Sequence, residues 1–121
     1  MAYVDVYVLP VLKSREVDYL EWARLAQEVW MEMGALTYME SRADDVPHGT
    51  LTSFPRAVQL TEDEIVYVSV VTYLDRAMRD AVNAKVMADP RLEGAFANSP
   101  ADMKRMIFGG FEMKVGPVAP A

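Results

Sequence analysis

Tyr3 to Leu12 (YVDVYVLPVL) opens the chain with a period-two pattern, Val4, Val6 and Val8 on one side and Tyr3, Asp5, Tyr7 and Leu9 on the other. Its β-branched and aromatic residues suit a pleated surface, so the pattern predicts a strand. Asp5 is out of character in mid-strand, and Pro10, which cannot donate to a ladder, predicts a sheet edge or a strand end. From Ser14 the period changes to that of a helix. Tyr19, Trp22, Ala23, Ala26, Val29, Trp30 and Met33 fall within about 120° of arc at 100° per residue. That stripe predicts a helix with Ser14 as N-cap, Glu16 and Asp18 in the first turn, and Gly34 at C′. Its two tryptophans read as core packing rather than a cofactor box. Val17, Leu20 and Met31 form a smaller strip on the flank, suited to a second packed surface such as a subunit contact.

Alternation returns over Ala35 to Arg42, with Leu36, Tyr38, Glu40 and Arg42 on one face and Thr37, Met39 and Ser41 on the other. A polar stretch, Asp44 to Val58, then interrupts the pattern. It carries Pro47, Gly49 and Pro55, and Pro55 biases Phe54 toward an extended backbone. Ala57 to Leu60 reads as a short extra strand, followed by a turn at Thr61–Glu64. Ile65 to Leu74 (IVYVSVVTYL) is almost continuously apolar and predicts a central strand buried on both faces. Asp75 should cap a helix over Arg76 to Ala88, ended by Asp89-Pro90. On it Ala77, Ala81, Ala84 and Ala88 form a small-residue stripe expected to lie close to a sheet. A loop over Gly94 to Pro100, a helical turn over Pro100 to Lys104 and a last strand over Met106 to Val115 follow. Gly109-Gly110 in that strand predicts a bulge or a close approach of other groups.

The order β-α-β-(loop, β)-β-α-β is that of a ferredoxin-like α+β fold, an antiparallel sheet with both helices on one face and an insertion at about residues 44–60. Residues 1–121 read as one domain, with an ordered core over about 3–115 and a tail at 116–121. No further element is available to cover the second sheet face, so a second copy of the chain is the expected partner, in a homodimer with facing sheets.

Composition narrows the function classes. A formal charge of −6, with no basic cluster longer than Lys104-Arg105, argues against nucleic acid and against an anionic membrane surface. No apolar run reaches the roughly 20 residues of a membrane helix. The absence of cysteine and of a basic, cleavable leader fits a cytoplasmic protein. Asp44, Asp45 and the single histidine, His48, offer metal-ligand atoms within five residues, but structural zinc wants sulfur or several histidines. The expectation is therefore no metal and no cofactor. Ser53 and Ser69 stand in no nucleophile motif, and Gly109-Gly110 precedes no helix that could cradle a phosphate.

Several motifs carry a resemblance over about Tyr3 to Val115: Tyr3-Val4-Asp5, Gly34-Ala35-Leu36, Asp45-Val46-Pro47, Arg79-Asp80-Ala81-Val82-Asn83, Met87-Ala88-Asp89-Pro90-Arg91 and Lys104-Arg105-Met106-Ile107-Phe108-Gly109-Gly110-Phe111-Glu112. In these the chain resembles the YbaA-like family of small bacterial proteins. The resemblance implies a dimeric α+β barrel and supplies no reaction. The wider group includes cofactor-free monooxygenases, small isomerases, haem-handling proteins and non-catalytic ligand-binding modules, an analogy at the level of fold. The family often carries another residue at the position of His48, so no shared mechanism would rest on it.

The candidate chemistry lies on the strand faces. If Val4, Val6 and Val8 pack on the helices, then Asp5, Tyr7, Tyr38, Glu40 and Glu112 look into the space between the facing sheets. Asp5, Glu40 and Glu112 are then candidate acid/base residues, because close or buried carboxylates have raised pKa values. The competing reading has Arg42, Arg105 or Lys104 neutralise them in a structural ion-pair network. Tyr7, Tyr38 and Phe108 would wall such a cavity, with Ser53, Phe54 and Arg56 at its lip. The chain is thus expected to be a homodimer binding a small, partly apolar molecule, with carboxylate acid/base turnover as an extension of that role. The alternative is a non-catalytic dimer whose barrel is filled by side chains.

Overall fold

The computed structural model describes residues 2–95 and 97–117; Phe96 of the expected loop and residues 118–121 of the expected tail lie outside the described residues. Four strands and three helices follow in the order β1 (Tyr3–Leu12), α1 (Glu16–Met33), β2 (Thr37–Arg42), α2 (Phe54–Ala57), β3 (Glu64–Tyr73), α3 (Arg76–Ala88) and β4 (Ile107–Glu112). The sheet order is β2-β3-β1-β4 and every neighbouring pair is antiparallel. Each main helix therefore links two strands that are not neighbours, the split βαβ arrangement of an α+β ferredoxin-like fold.

Both main helices cover one face. Tyr3, Leu9 and Val11 of β1 pack with Tyr19, Ala23, Ala26, Val29 and Trp30 of α1 and Val82 and Val86 of α3. The odd-numbered side of β1 thus faces the helices and Val4, Val6 and Val8 face away, the reverse of the expected orientation. Once Tyr3, Asp5 and Tyr7 have helix partners, the pleat leaves the valines no other side. On the far face Val8 and Val66 are covered by Val58, which follows α2, while Val4, Val6, Val68, Val70 and Thr72 remain half-buried. β3 is central as expected, but its second face is only partly covered within one chain.

Several local expectations are corrected. Of the two readings of Pro10 the strand end holds and the sheet edge does not: it sits two residues before the end of β1, which lies between β3 and β4, and β4 pairs with β1 only over Tyr3–Val8. Beyond that point the Pro10 carbonyl accepts from the Asp102 amide at 3.1 Å, so the ladder asks nothing of its missing N–H. α1 enters through a 3₁₀ turn over Lys13–Arg15 and Ser14 caps nothing. Instead Glu16 accepts from Arg42 Nε at 2.7 Å and Tyr67 Oη at 2.9 Å, tying the start of the helix to β2 and β3. The alanine stripe of α3 is exposed, because this helix buries the narrow face of Val82 and Val86. Asp75 does cap it, accepting from the Met78 amide at 2.8 Å.

The insertion forms no strand. Ser53 caps the single turn of α2 by accepting from the Arg56 amide at 3.2 Å, and Pro55 suits the first turn. The Arg56 guanidinium donates back to the His48 and Gly49 carbonyls at 2.9 and 3.1 Å, closing the loop on itself. Residues 101–105 form a bridge to Val11 and a turn rather than a helical turn. Nor is there a bulge at Gly109-Gly110: β1–β4 register runs unbroken from Tyr3↔Glu112 to Val8↔Ile107. Close approach explains Gly110, where a Cβ would stand 2.5 Å from both Arg79 Nη2 and Tyr3 Oη.

Candidate functional site

Register places one row of side chains across all four strands on the helix side: Glu40, Ser69, Tyr7 and Phe108. This row is the floor of a cavity of about 290 Å³ between sheet and helices. Trp22 and Trp30 of α1 and Asn83 and Met87 of α3 form its roof, and Leu9, Tyr38, Met103 and Met106 close its sides. Its volume lies just below the roughly 300 Å³ at which small-molecule sites begin, and its walls are mostly apolar. Met87 and Phe108, 65% and 66% exposed, stand at the rim between α3 and β4. The Tyr7 and Phe108 rings stack with centroids 5.9 Å apart.

Glu40 is the polar centre of this cavity. Tyr19 Oη donates to its Oε2 at 2.8 Å and Tyr38 Oη to its Oε1 at 2.9 Å, while Ser69 Oγ lies 2.8 Å from both oxygens. Among the described residues Glu40 has no ion-pair partner. Burial raises its pKa above the usual carboxylate range, and the hydroxyls of Ser69, Tyr19 and Tyr38 pull the other way without cancelling the effect. The surrounding phenols are held neutral: burial pushes Tyr7 up to about 12 and raises Tyr19 and Tyr38 as well. A carboxyl with a raised pKa that faces an apolar cavity is suited to accept or deliver a proton. On its other side Glu40 borders a small cleft of about 200 Å³ lined by Leu20, Arg24 and Gln27.

The predicted residues separate into three groups. Glu40, Tyr7, Tyr38 and Phe108 share the cavity, but they face the helices and not the space expected between two sheets. Asp5 sits one row away, 1% exposed, where Arg79 Nε donates to Oδ1 and Oδ2 at 3.1 and 3.0 Å. The cation beside it comes from α3 and is none of those proposed from sequence: Arg42 serves Glu16, Arg105 serves Glu64 and Asp102, and no ion pair of Lys104 is found among the described residues. Glu112 lies on the same face at the far end of β4, beside a wide, open groove, and pairs with Lys114 at 2.9 Å. Ser53, Phe54 and Arg56 belong to α2 and its cap on the opposite side of the sheet, so they rim nothing here. His48 is exposed, and only its carbonyl is engaged.

The sequence pattern speaks of Ser69 only as a serine outside any nucleophile motif, gives Tyr19 and Asn83 no site role, and reads Trp22 and Trp30 as packing alone. Trp30 does pack, donating Nε1–H to Tyr73 Oη at 3.1 Å, yet it also faces the cavity. Ser69 was readable as the polar interruption in the apolar run Ile65–Val71.

The sheet order and the two helices on one face define an α+β protein with the ferredoxin-like fold. This class agrees with solved structures. A cofactor-independent oxygenase, SnoaB from Streptomyces nogalater, solved as a mutant, aligns over 95% of both chains with a TM-score of 0.61 and 12% identity. A dimeric ferredoxin-like protein from an uncultured marine organism aligns over 97% of this chain and 100% of its own, with a TM-score of 0.55 and 14% identity. At such identities the likeness is one of fold. The chain belongs to the family described as protein of unknown function (DUF1428), which it matches over residues 2–104. It is 43% identical over 112 residues to the uncharacterised protein YbaA of Escherichia coli K12, covering 93% of this chain and 96% of that one.

Proposed function

We propose that each chain binds a small, partly apolar molecule in the cavity between sheet and helices, with Glu40 as the group that exchanges a proton with it. The supporting observation is Glu40 itself, a carboxyl with three hydroxyl donors and no ion-pair partner among the described residues, opening into an aromatic cavity. Tyr7, Tyr38 and Phe108 supply apolar contact, and Ser69 fixes the orientation of the carboxyl. Asp5, paired with Arg79, and Glu112, exposed beside Lys114, are better read as structural and surface charges. In the same reading two chains pair through the half-buried valine face of the sheet, which α1 and α3 leave open. Native mass spectrometry of the purified protein tests the binding role. A small-molecule adduct is expected in wild type and should be lost in Met106→Trp, which fills the cavity. An adduct retained by the filled variant, or none in wild type, would favour a non-catalytic module with a side-chain-filled interior.

A further inference from the structure

Resting on that reading, we infer that the cavity's ligand class is an organic ammonium ion, a small apolar amine bound beside Glu40. Charge is the first argument. Among the described residues that line the cavity, Glu40 is the sole carboxylate and no lysine, arginine or histidine is present. Burial disfavours the ionised form of Glu40; an anionic ligand would disfavour it further and a neutral one would not relieve that cost, whereas an ammonium ion supplies the missing counter-charge.

Hydrogen bonding is the second argument. All three neighbours of Glu40 are hydroxyls, and each can donate to it. An ionised carboxylate only accepts, through about four lone-pair positions on two oxygens. Three hydroxyls leave one acceptor position for a ligand N–H. The third argument is the wall. Tyr7, Trp22, Trp30, Tyr38 and Phe108 present aromatic rings around one carboxylate, a setting that attracts cations through the ring quadrupole. A volume of about 290 Å³ suits one ring with a short aminoalkyl arm and excludes a peptide or nucleotide.

Other titratable groups near Glu40 do not supply the missing charge. Tyr19 of α1, Tyr38 of β2, Tyr7 of β1 and Tyr67 of β3 remain neutral donors at ordinary pH. Arg24 of α1 lines the cleft on the other side of Glu40 and forms no hydrogen bond to it. Arg42 is taken by Glu16.

The test is calorimetric titration at pH 7.5 with three probes of one shape: 2-phenylethylamine, 2-phenylethanol and 3-phenylpropanoate. The amine should bind at least about tenfold tighter than the alcohol, and the acid should not bind. In Glu40→Gln, checked for folding by circular dichroism, the preference for the amine should vanish while the alcohol still binds. Should that variant not fold, wild type suffices: lowering the pH protonates Glu40, so the ratio of amine to alcohol affinity should fall toward one. If the alcohol binds as tightly as the amine and Met106→Trp abolishes both, the cavity reading stands and the ammonium inference is overturned. If none of the three binds, both fall.

Discussion

Arg79 Nε, reaching from α3 to β1, donates to both carboxylate oxygens of Asp5 at 3.1 and 3.0 Å, beneath the Tyr3 ring that lies 5.1 Å from its guanidinium carbon. The pair gives mid-strand Asp5 its explanation: a buried carboxylate is tolerable when a bidentate cation neutralises it. Arg79→Met should therefore lower stability by roughly 3 kcal/mol, because it strands Asp5 in the core. The apolar double replacement Asp5→Leu/Arg79→Met should recover most of that loss. Urea denaturation at one protein concentration measures both, and a double variant no more stable than the single would refute the account.

Gly110 is held to glycine by the same cluster. A Cβ there would lie 2.5 Å from Arg79 Nη2 and Tyr3 Oη, whereas at Gly109 its nearest neighbour would be Phe111 at 3.6 Å. Gly110→Ala should cost about 2 kcal/mol through overpacking, and Gly109→Ala should stay within about 0.5 kcal/mol of wild type. Equal effects from the two changes would mean that strand entropy, and not the crowded pair, sets the requirement.

The fold was largely legible because its signals are local. A period-two run marked β1 and an almost continuously apolar run marked β3, the Asp75 cap and Asp89-Pro90 bounded α3, and Gly34 ended α1 with φ of 120°. Where tertiary contacts decide, pattern failed. The exposed alanines of α3 look like a packing stripe, yet Val82 and Val86 bury a different face. Ala57–Leu60 looks extended, yet Ser53, Pro55 and the anchoring of Arg56 make a helical turn before it.

For the site, alternation grouped Asp5 with Tyr7 and Tyr38 with Glu40 correctly but could not say which face met the helices. That choice rests on Arg79 finding Asp5 and Tyr19 finding Glu40, contacts 74 and 21 residues apart in sequence. The reversed face puts the cavity beneath α1 and α3 instead of between two sheets. It also separates Ser53, Phe54 and Arg56 from the strand residues that line the cavity.

Acid should weaken the fold through Glu64. Its carboxylate accepts from Arg105 and from the Thr61 amide, and the Arg105 guanidinium lowers its pKa to about 2. A depressed carboxylate pKa contributes stability above its unfolded value and loses it as pH falls through the folded one, here from about 4.5 to about 2. Partial exposure of Arg105 screens the pair, so the loss should be about 2 kcal/mol rather than the full shift. Arg105→Met should flatten the stability–pH curve across that window in denaturant titrations. A slope unchanged from wild type would assign the acid sensitivity elsewhere.

Glu40 should act with the opposite sign. Burial raises its pKa, so the folded state prefers the protonated form and loses stability as pH rises through the folded pKa. Glu40→Gln, which keeps the shape without the charge, should gain relative to wild type as pH is raised from 4 to 8. Melting temperatures across that range measure the difference, and a gap independent of pH would show that Glu40 carries no burial cost.

The open sheet face predicts how two chains meet. Met39, Val70, Val6 and Gly109 form one row across β2, β3, β1 and β4 on the side away from the main helices, with Phe111 exposed nearby. In a monomer this row borders solvent, so a lysine at Val70 would keep its hydration and cost little. Between two facing sheets the same lysine would be buried in an apolar layer without a counter-charge. Wild type is therefore expected to sediment at twice 13.6 kDa and Val70→Lys as a folded species of 13.6 kDa. A variant that still sediments as a dimer would place the contact on another surface, for which the Val17, Leu20 and Met31 flank of α1 is the next candidate.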